Sequence, residues 1–288
     1  MLQSILIIVG LIILLWNVLS QIGGIAPIFE DKPDSFFSLL PPPGLENWPV
    51  YLATFMAFSI GAIPVQEIYQ RAFSAKSEKA GVNGLYLSAA LLLLIPSIPL
   101  VIGLGSVYLH PELIGDDHGQ SIILQSVARF ASLPVQVLFY GAMISAIMST
   151  SSGAMLASAT VVGENLLKPN FKSLSDKQIL LFTRLSVVLM AAISCYFALG
   201  DMKIVSLVVA SLSLIMVSIL APFTLGLFWK KSSVFGTWCG VIVGDVVWFI
   251  CYMLDIPLDP TLIGTPASFV AMFIGSLIVA DKEPIPLS

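Results

Sequence analysis

The sequence predicts an all-α membrane protein that crosses the bilayer several times, and three observations carry that prediction. Of 288 residues, 57% are hydrophobic and 10% charged, against about 25% charged in a soluble domain. The apolar residues gather into runs of about 20 or more, the length a helix needs to cross the hydrocarbon core. The basic residues between the runs fall mostly on one side when successive loops are assigned to opposite faces of the membrane.

Eight runs meet the length requirement: Leu2–Gly24, Pro49–Tyr69, Gly81–Tyr108, Pro134–Glu164, Gln178–Gly200, Ile204–Trp229, Val234–Leu254 and Thr261–Ala280. The first has no basic n-region and is longer than the apolar stretch of a signal peptide, so it reads as a spanning helix. The fourth exceeds one crossing, which implies tilt or an end that projects into water. With a cytoplasmic amino terminus, alternation puts Arg71, Lys76, Lys79, Lys168, Lys172, Lys177, Arg184, Lys230, Lys231 and Lys282 inside and leaves Lys32, Arg129 and Lys203 outside. The outer loops are acidic, with Glu30, Asp31, Asp34, Glu112, Asp116, Asp117, Asp255 and Asp259. This arrangement predicts a multi-pass protein of the plasma membrane.

Between the runs, residues 25–48 contain Pro41, Pro42 and Pro43 and cannot be helical throughout. The loop over residues 109–133 has room for a short interfacial helix around Ser121–Phe130. Neither resembles a soluble domain, so residues 1–280 read as one transmembrane domain and residues 281–288 as a short cytoplasmic tail. A net charge of −4, with 13 basic residues scattered along the chain, offers no dense cationic face, and nucleic acid is not an expected partner. Cys195, Cys239 and Cys251 lie in apolar runs without a partner at metal-ligand spacing and read as small buried hydrophobes.

Two places break the apolar monotony. In the second run, Ser59-Ile60-Gly61-Ala62-Ile63-Pro64 sets a glycine and a proline at mid-span. Proline lacks an N–H and disfavours helix at the residue before it, so backbone carbonyls are freed at membrane depth. Such backbone is tolerated where it is buried in protein or lines a cavity, and discontinuous helices of this kind hold substrate and ions in many carriers. The alternative is a proline kink whose carbonyls are met by neighbouring serines. Beyond it, Gln66, Glu67, Gln70 and Arg71 crowd the end of the run, with Glu67 and Arg71 spaced as an i,i+4 pair on a solvated helix end.

The second place is Ile144 to Ala157, where Ala146, Ser149, Thr150, Gly153 and Ala157 fall on one helical face that is small and rich in hydroxyls. A face of this kind admits the close approach of another helix, or it offers hard, neutral oxygens to a small cation. Periodicity alone favours packing. A serine nucleophile is excluded as a working reading, because the histidines, His110 and His118, lie in a loop and no membrane lysine pairs with the serines. Asp245 is the one acid near the middle of a span, a candidate for ion or proton coupling; Gly240, Gly244 and Trp248 around it also fit a packed helix face that bonds it to a neighbour.

At these same two places the chain resembles the sodium:solute symporter family. Gly61-Ala62-Ile63-Pro64-Val65-Gln66-Glu67-Ile68-Tyr69-Gln70-Arg71, followed by Ser74-Ala75-Lys76-Ser77, resembles that family's helix break and cytoplasmic loop. Ser145-Ala146-Ile147-Met148-Ser149-Thr150, continuing to Glu164-Asn165, resembles its sodium-site helix. The resemblance covers residues 2 to 229 and shifts the reading of the hydroxyl face from packing to sodium.

It implies a fold of two inverted five-helix repeats, with residues 1–24 the last helix of the first repeat, residues 49–229 the second repeat and residues 234–280 two peripheral helices. By motif position, Ala146 would give sodium a carbonyl while Ser149 and Thr150 would give hydroxyls. Ser59, Gly61, Ala62, Pro64, Val65 and Gln66 would adjoin the solute. The resemblance further implies that the other wall of the sodium site belongs to core helices upstream of this sequence, without which the stretch would not transport. The second run looks nearest to the choline-transporter branch, yet Val65 stands where that branch has an aromatic, which argues against choline itself. The function implied is sodium-coupled symport of a small organic solute rather than enzyme catalysis. A transporter-like sensor domain feeding a signalling module and a proton-coupled carrier are the alternatives.

Overall fold

The computed structural model describes residues 2–30, 32–115, 119–171, 175–200, 203–254 and 256–280. The tail expected over residues 281–288 lies outside the described residues, as do Asp31, Asp116, Asp117, His118, Lys172 and Asp255 and the side chains of Glu67, Gln70 and Arg71. The described residues form helices and connecting turns without a strand. In chain order the principal helices are α1 (Leu2–Ile22), α2 (Trp48–Ser59), α3 (Gln66–Phe73), α4 (Glu78–Leu94), α5 (Ser97–Leu109) and α6 (Ile122–Phe130). They continue as α7 (Leu133–Thr160), α8 (Asp176–Ala198), α9 (Ile204–Phe228), α10 (Val234–Met253) and α11 (Pro260–Ile278).

Seven stretches among the described residues are helices long and apolar enough to cross a membrane. The expected span that fails this test is Pro49–Tyr69, and the reason is its break: α2 ends at Ser59 and α3 begins at Gln66, so neither half crosses alone. The span expected over Gly81–Tyr108 is interrupted where α4 stops at Leu94 and α5 resumes at Ser97, because Pro96 has no N–H to continue the ladder. The long fourth span ends in a π-helical turn, Val161–Leu167, where Gly163 is buried and comes against the Thr183 side chain. Lys168 Nζ pairs with Glu164 Oε2 at 2.7 Å just beyond.

The contacts group these helices into two compact units. One holds residues 1–33 and 66–201, hence α1 and α3 to α8. Its core is α1 against α5 and α7: Leu11, Leu14, Val18, Ile102, Val127 and Phe139 are buried together. Glycine permits this approach, since a β-carbon on Gly10 would stand 2.9 Å from Phe139 Cδ2. In contrast, α8 buries none of its residues and exposes Leu181, Leu185, Val188 and Leu189. Keeping such side chains in water forgoes roughly 1.5–3 kcal/mol each; in a bilayer they meet lipid.

The other unit holds residues 34–65 and 202–288, hence α2, α9, α10 and α11. Its tightest seam joins α10 to α11. Gly236, Gly240 and Gly244 recur every fourth residue and line one face of α10. A β-carbon on Gly240 would stand 2.9 Å from Met272 Cβ, and one on Gly244 would stand 2.8 Å from Ser268 Cβ. Small residues bring the two backbones together where dispersion, rather than water exclusion, drives association in lipid. Cys251 is buried in this unit and Cys239 half-buried, but Cys195, expected to be buried, is exposed on α8.

Candidate cation and solute site

α7 carries the hydroxyl face, and its first turns anchor it. Gln136 Nε2 donates to the carbonyls of Ala128 at 3.0 Å and Ala131 at 2.8 Å, and the Tyr140 hydroxyl donates to the Leu124 carbonyl at 2.8 Å. From α1, Asn17 Nδ2 donates to the Phe130 carbonyl at 3.0 Å. The carbonyls of Ala128, Phe130 and Ala131 at the end of α6, which a helix terminus leaves without partners, are thus met, and α6, expected around Ser121–Phe130 and found at Ile122–Phe130, is tied to α1 and α7.

Three turns further on, the hydroxyls divide into two kinds. Ser152 Oγ turns back onto its own helix, donating to the Met148 carbonyl at 2.7 Å and the Ser149 carbonyl at 3.1 Å. Ser149 and Thr150 are exposed and make no side-chain hydrogen bond among the described residues, while Ala146 beside them is half-buried. Two adjacent hydroxyls are therefore free to bind, on a face too small and polar to be favoured against lipid. Among the described residues no three His, Cys, Asp or Glu side chains gather as a metal cluster. Neutral hydroxyl and carbonyl oxygens suit a hard cation of low charge rather than a transition metal.

The break between α2 and α3 has the irregular backbone its sequence requires. The amides of Ile60 and Gly61 both donate to the Met56 carbonyl, at 2.8 and 2.9 Å. The ladder then gives way to two i,i+3 turns, Ile63 N to Ile60 O at 3.0 Å and Val65 N to Ala62 O at 3.3 Å. Gly61 and Pro64 are buried, Ala62 and Val65 half-buried, and Ser59 and Gln66 exposed. Gly61 has a packing reason: its β-carbon would meet the Leu212 carbonyl of α9 at 3.0 Å. Ser59 Oγ donates to the Phe55 carbonyl at 2.6 Å. Of the six residues expected beside the solute, Gly61 and Pro64 therefore shape the backbone.

The sequence reading passed over the aromatic face that leads to this break. Tyr51, Phe55 and Phe58 recur at i, i+4 and i+7 along α2 and, with Thr54 and Ser59, line a concavity of about 400 Å³. Tyr51 and Phe55 stack with centroids 6.2 Å apart, and Trp48 meets Tyr51 edge-on at 6.1 Å. Their spacing was the available signal. Asp245, the candidate for ion or proton coupling, is bonded to a neighbouring helix: Ser218 Oγ of α9 donates to Asp245 Oδ1 at 2.5 Å.

Helices without a strand among the described residues, seven of them long and apolar enough to cross a membrane, define an all-α polytopic membrane protein. The profile of the sodium:solute symporter family matches residues 1–244, and the chain belongs to that family. Its relatives include the high-affinity choline transporter 1 of Torpedo marmorata, 25% identical over 68% of this chain and 35% of the relative. The sodium/proline symporter of Haemophilus influenzae is 23% identical over 70% of this chain and 41% of its own length. For the sodium/glucose cotransporter of Vibrio parahaemolyticus the figures are 26%, 67% and 38%. The chain thus spans little more than a third of the length of these relatives. The family and these relatives are transporters rather than enzymes.

Proposed function

We propose that this chain is part of a sodium-coupled symporter that carries a small organic solute across the plasma membrane by alternating access. Sodium is held on α7 by the Ala146 carbonyl and the Ser149 and Thr150 hydroxyls, and its remaining oxygens come from core helices outside this sequence. The observation that carries the reading is the exposure of the Ser149 and Thr150 hydroxyls, which make no side-chain hydrogen bond among the described residues. The break at residues 60–65 supports it, because irregular backbone in a membrane belongs where it is packed or lines a path.

Sodium drives uptake by differential affinity: occupying the site stabilises the outward-facing, solute-ready state, and the gradient keeps it occupied on one side. The solute adjoins Ser59, Ala62, Val65 and Gln66, with Gly61 and Pro64 holding the turn. The relatives handle choline, proline and glucose; position 65, aromatic in the choline branch that the break resembles, is Val65 here, while Tyr51, Phe55 and Phe58 line the concavity they share with Ser59. The amino terminus of this stretch is cytoplasmic, on the charge asymmetry of its loops. Uptake by the whole transporter, measured at fixed pH with sodium replaced by potassium, tests the coupling ion. Loss of concentrative uptake supports sodium; uptake that persists and follows the proton gradient assigns a proton-coupled carrier.

A further inference from the structure

Asp245 stands midway along α10 in a bundle that offers it no counter-charge. α2, α9 and α11 contain no Asp, Glu, Lys, Arg or His, and Asp245 is the only such residue in α10. A charged carboxylate at membrane depth is costly unless something neutralises it. The groups around it are oxygens. Ser218 Oγ lies 2.5 Å from Asp245 Oδ1, and Pro222, inside α9 one turn beyond Ser218, has no N–H to give to the Ser218 carbonyl. Ser218 therefore presents both a hydroxyl and a carbonyl relieved of its helical donor.

At the same level, α11 closes in on the residue before Asp245. A β-carbon on Gly244 would stand 2.9 Å from the Val217 carbonyl and 3.2 Å from Ser268 Oγ. Ser268 Oγ is fully buried, and among the described residues neither it nor the buried Thr265 Oγ1 has a hydrogen-bond partner. A buried hydroxyl left without a partner is costly, so Ser268, on the α11 face that packs against Gly244, brings an oxygen with unused capacity to the level of Asp245.

We propose that Asp245, Ser218 and Ser268 form a second cation site, inside the α9–α10–α11 bundle, that takes a sodium ion. One carboxylate and one monovalent cation give a neutral unit, which a low-dielectric interior favours; a divalent ion would leave an uncompensated charge. Carboxylate, hydroxyl and carbonyl oxygens are the ligand types that hard cations take. The site draws on none of the residues assigned to sodium on α7, so it stands or falls independently of that assignment.

The test is thermal unfolding of the purified chain in lipid nanodiscs at fixed pH, in sodium chloride and in choline chloride of equal ionic strength. Sodium is expected to raise the midpoint, and the rise is expected to disappear in Asp245→Asn, which keeps an acceptor for Ser218. Ser268→Ala is expected to increase several-fold the sodium concentration giving half the rise, a readout that survives if the Asn variant folds poorly. The Asp245-dependent part of the rise is expected to persist in a Ser149→Ala, Thr150→Ala protein. An equal rise in Asp245→Asn, a rise lost only in the Ser149 and Thr150 variant, or stabilisation that follows pH without any dependence on sodium would overturn the proposal.

Discussion

Gly61, at the break between α2 and α3, lies so near α9 that a β-carbon on it would be 3.0 Å from the carbonyl oxygen of Leu212. Two features of this contact matter together. The break releases the α2 backbone from helix geometry, and the missing side chain lets that backbone rest on α9.

Gly61→Val is therefore expected to destabilise the α2–α9 contact by about 1–3 kcal/mol, the usual cost of overpacking a filled interior. The shift in the midpoint of thermal unfolding in nanodiscs checks it. Stability equal to the parent protein would mean that α9 is not so close.

The α10–α11 seam makes a parallel case with its own control. Gly240→Leu must displace Met272 Cβ, 2.9 Å from the new β-carbon, whereas nothing lies within 4 Å of the corresponding point on Gly226. Gly240→Leu is expected to lower the unfolding midpoint by several degrees, and Gly226→Ala to leave it unchanged or raise it through helix propensity. Equal effects would show that the seam is looser than described.

Gln136 meets two carbonyls at the end of α6, those of Ala128 and Ala131. Gln136→Ala leaves both without that donor, at a cost of about 1–3 kcal/mol. Hydrogen exchange over residues 122–131 is expected to quicken while exchange in α10 and α11 stays as it was.

The loop before α6 responds to acid. The Glu112 carboxyl is held below its ordinary range, first by a backbone N–H and then by His110 and Arg129, whose side chains lie 3.1 and 3.3 Å from Oε1. A carboxylate favoured in the folded loop stabilises it above the ordinary carboxylate range, and that contribution is lost as pH falls through the depressed value. Hydrogen exchange around residues 110–114 is expected to rise over that acid window and to lose its pH dependence in Glu112→Gln.

How far the sequence disclosed all this depends on which kind of pattern each feature leaves. Spans were legible because apolar length is a property of consecutive residues, and the break at Gly61–Pro64 because glycine and proline act on the local backbone. The Ser149–Thr150 face was legible as a period. Its meaning was not, since small hydroxyl faces serve packing as well as binding; only the hydrogen bonding separates the side chains, Ser152 bonding its own helix while Ser149 and Thr150 make no side-chain hydrogen bond among the described residues. The aromatic face of Tyr51, Phe55 and Phe58 was passed over because aromatic residues at helical spacing are ordinary in a membrane helix. The Ser218 partner of Asp245, 27 residues away, leaves no local trace.

Sodium coordination on α7 is tested most directly by the sodium dependence of solute uptake in the whole transporter carrying Ser149→Ala or Thr150→Ala. Each substitution removes one hydroxyl of the proposed site and is expected to raise the sodium concentration for half-maximal uptake about tenfold, equivalent to about 1.4 kcal/mol of binding, with folding preserved because both side chains are exposed. An unchanged sodium dependence in both variants would contradict the site.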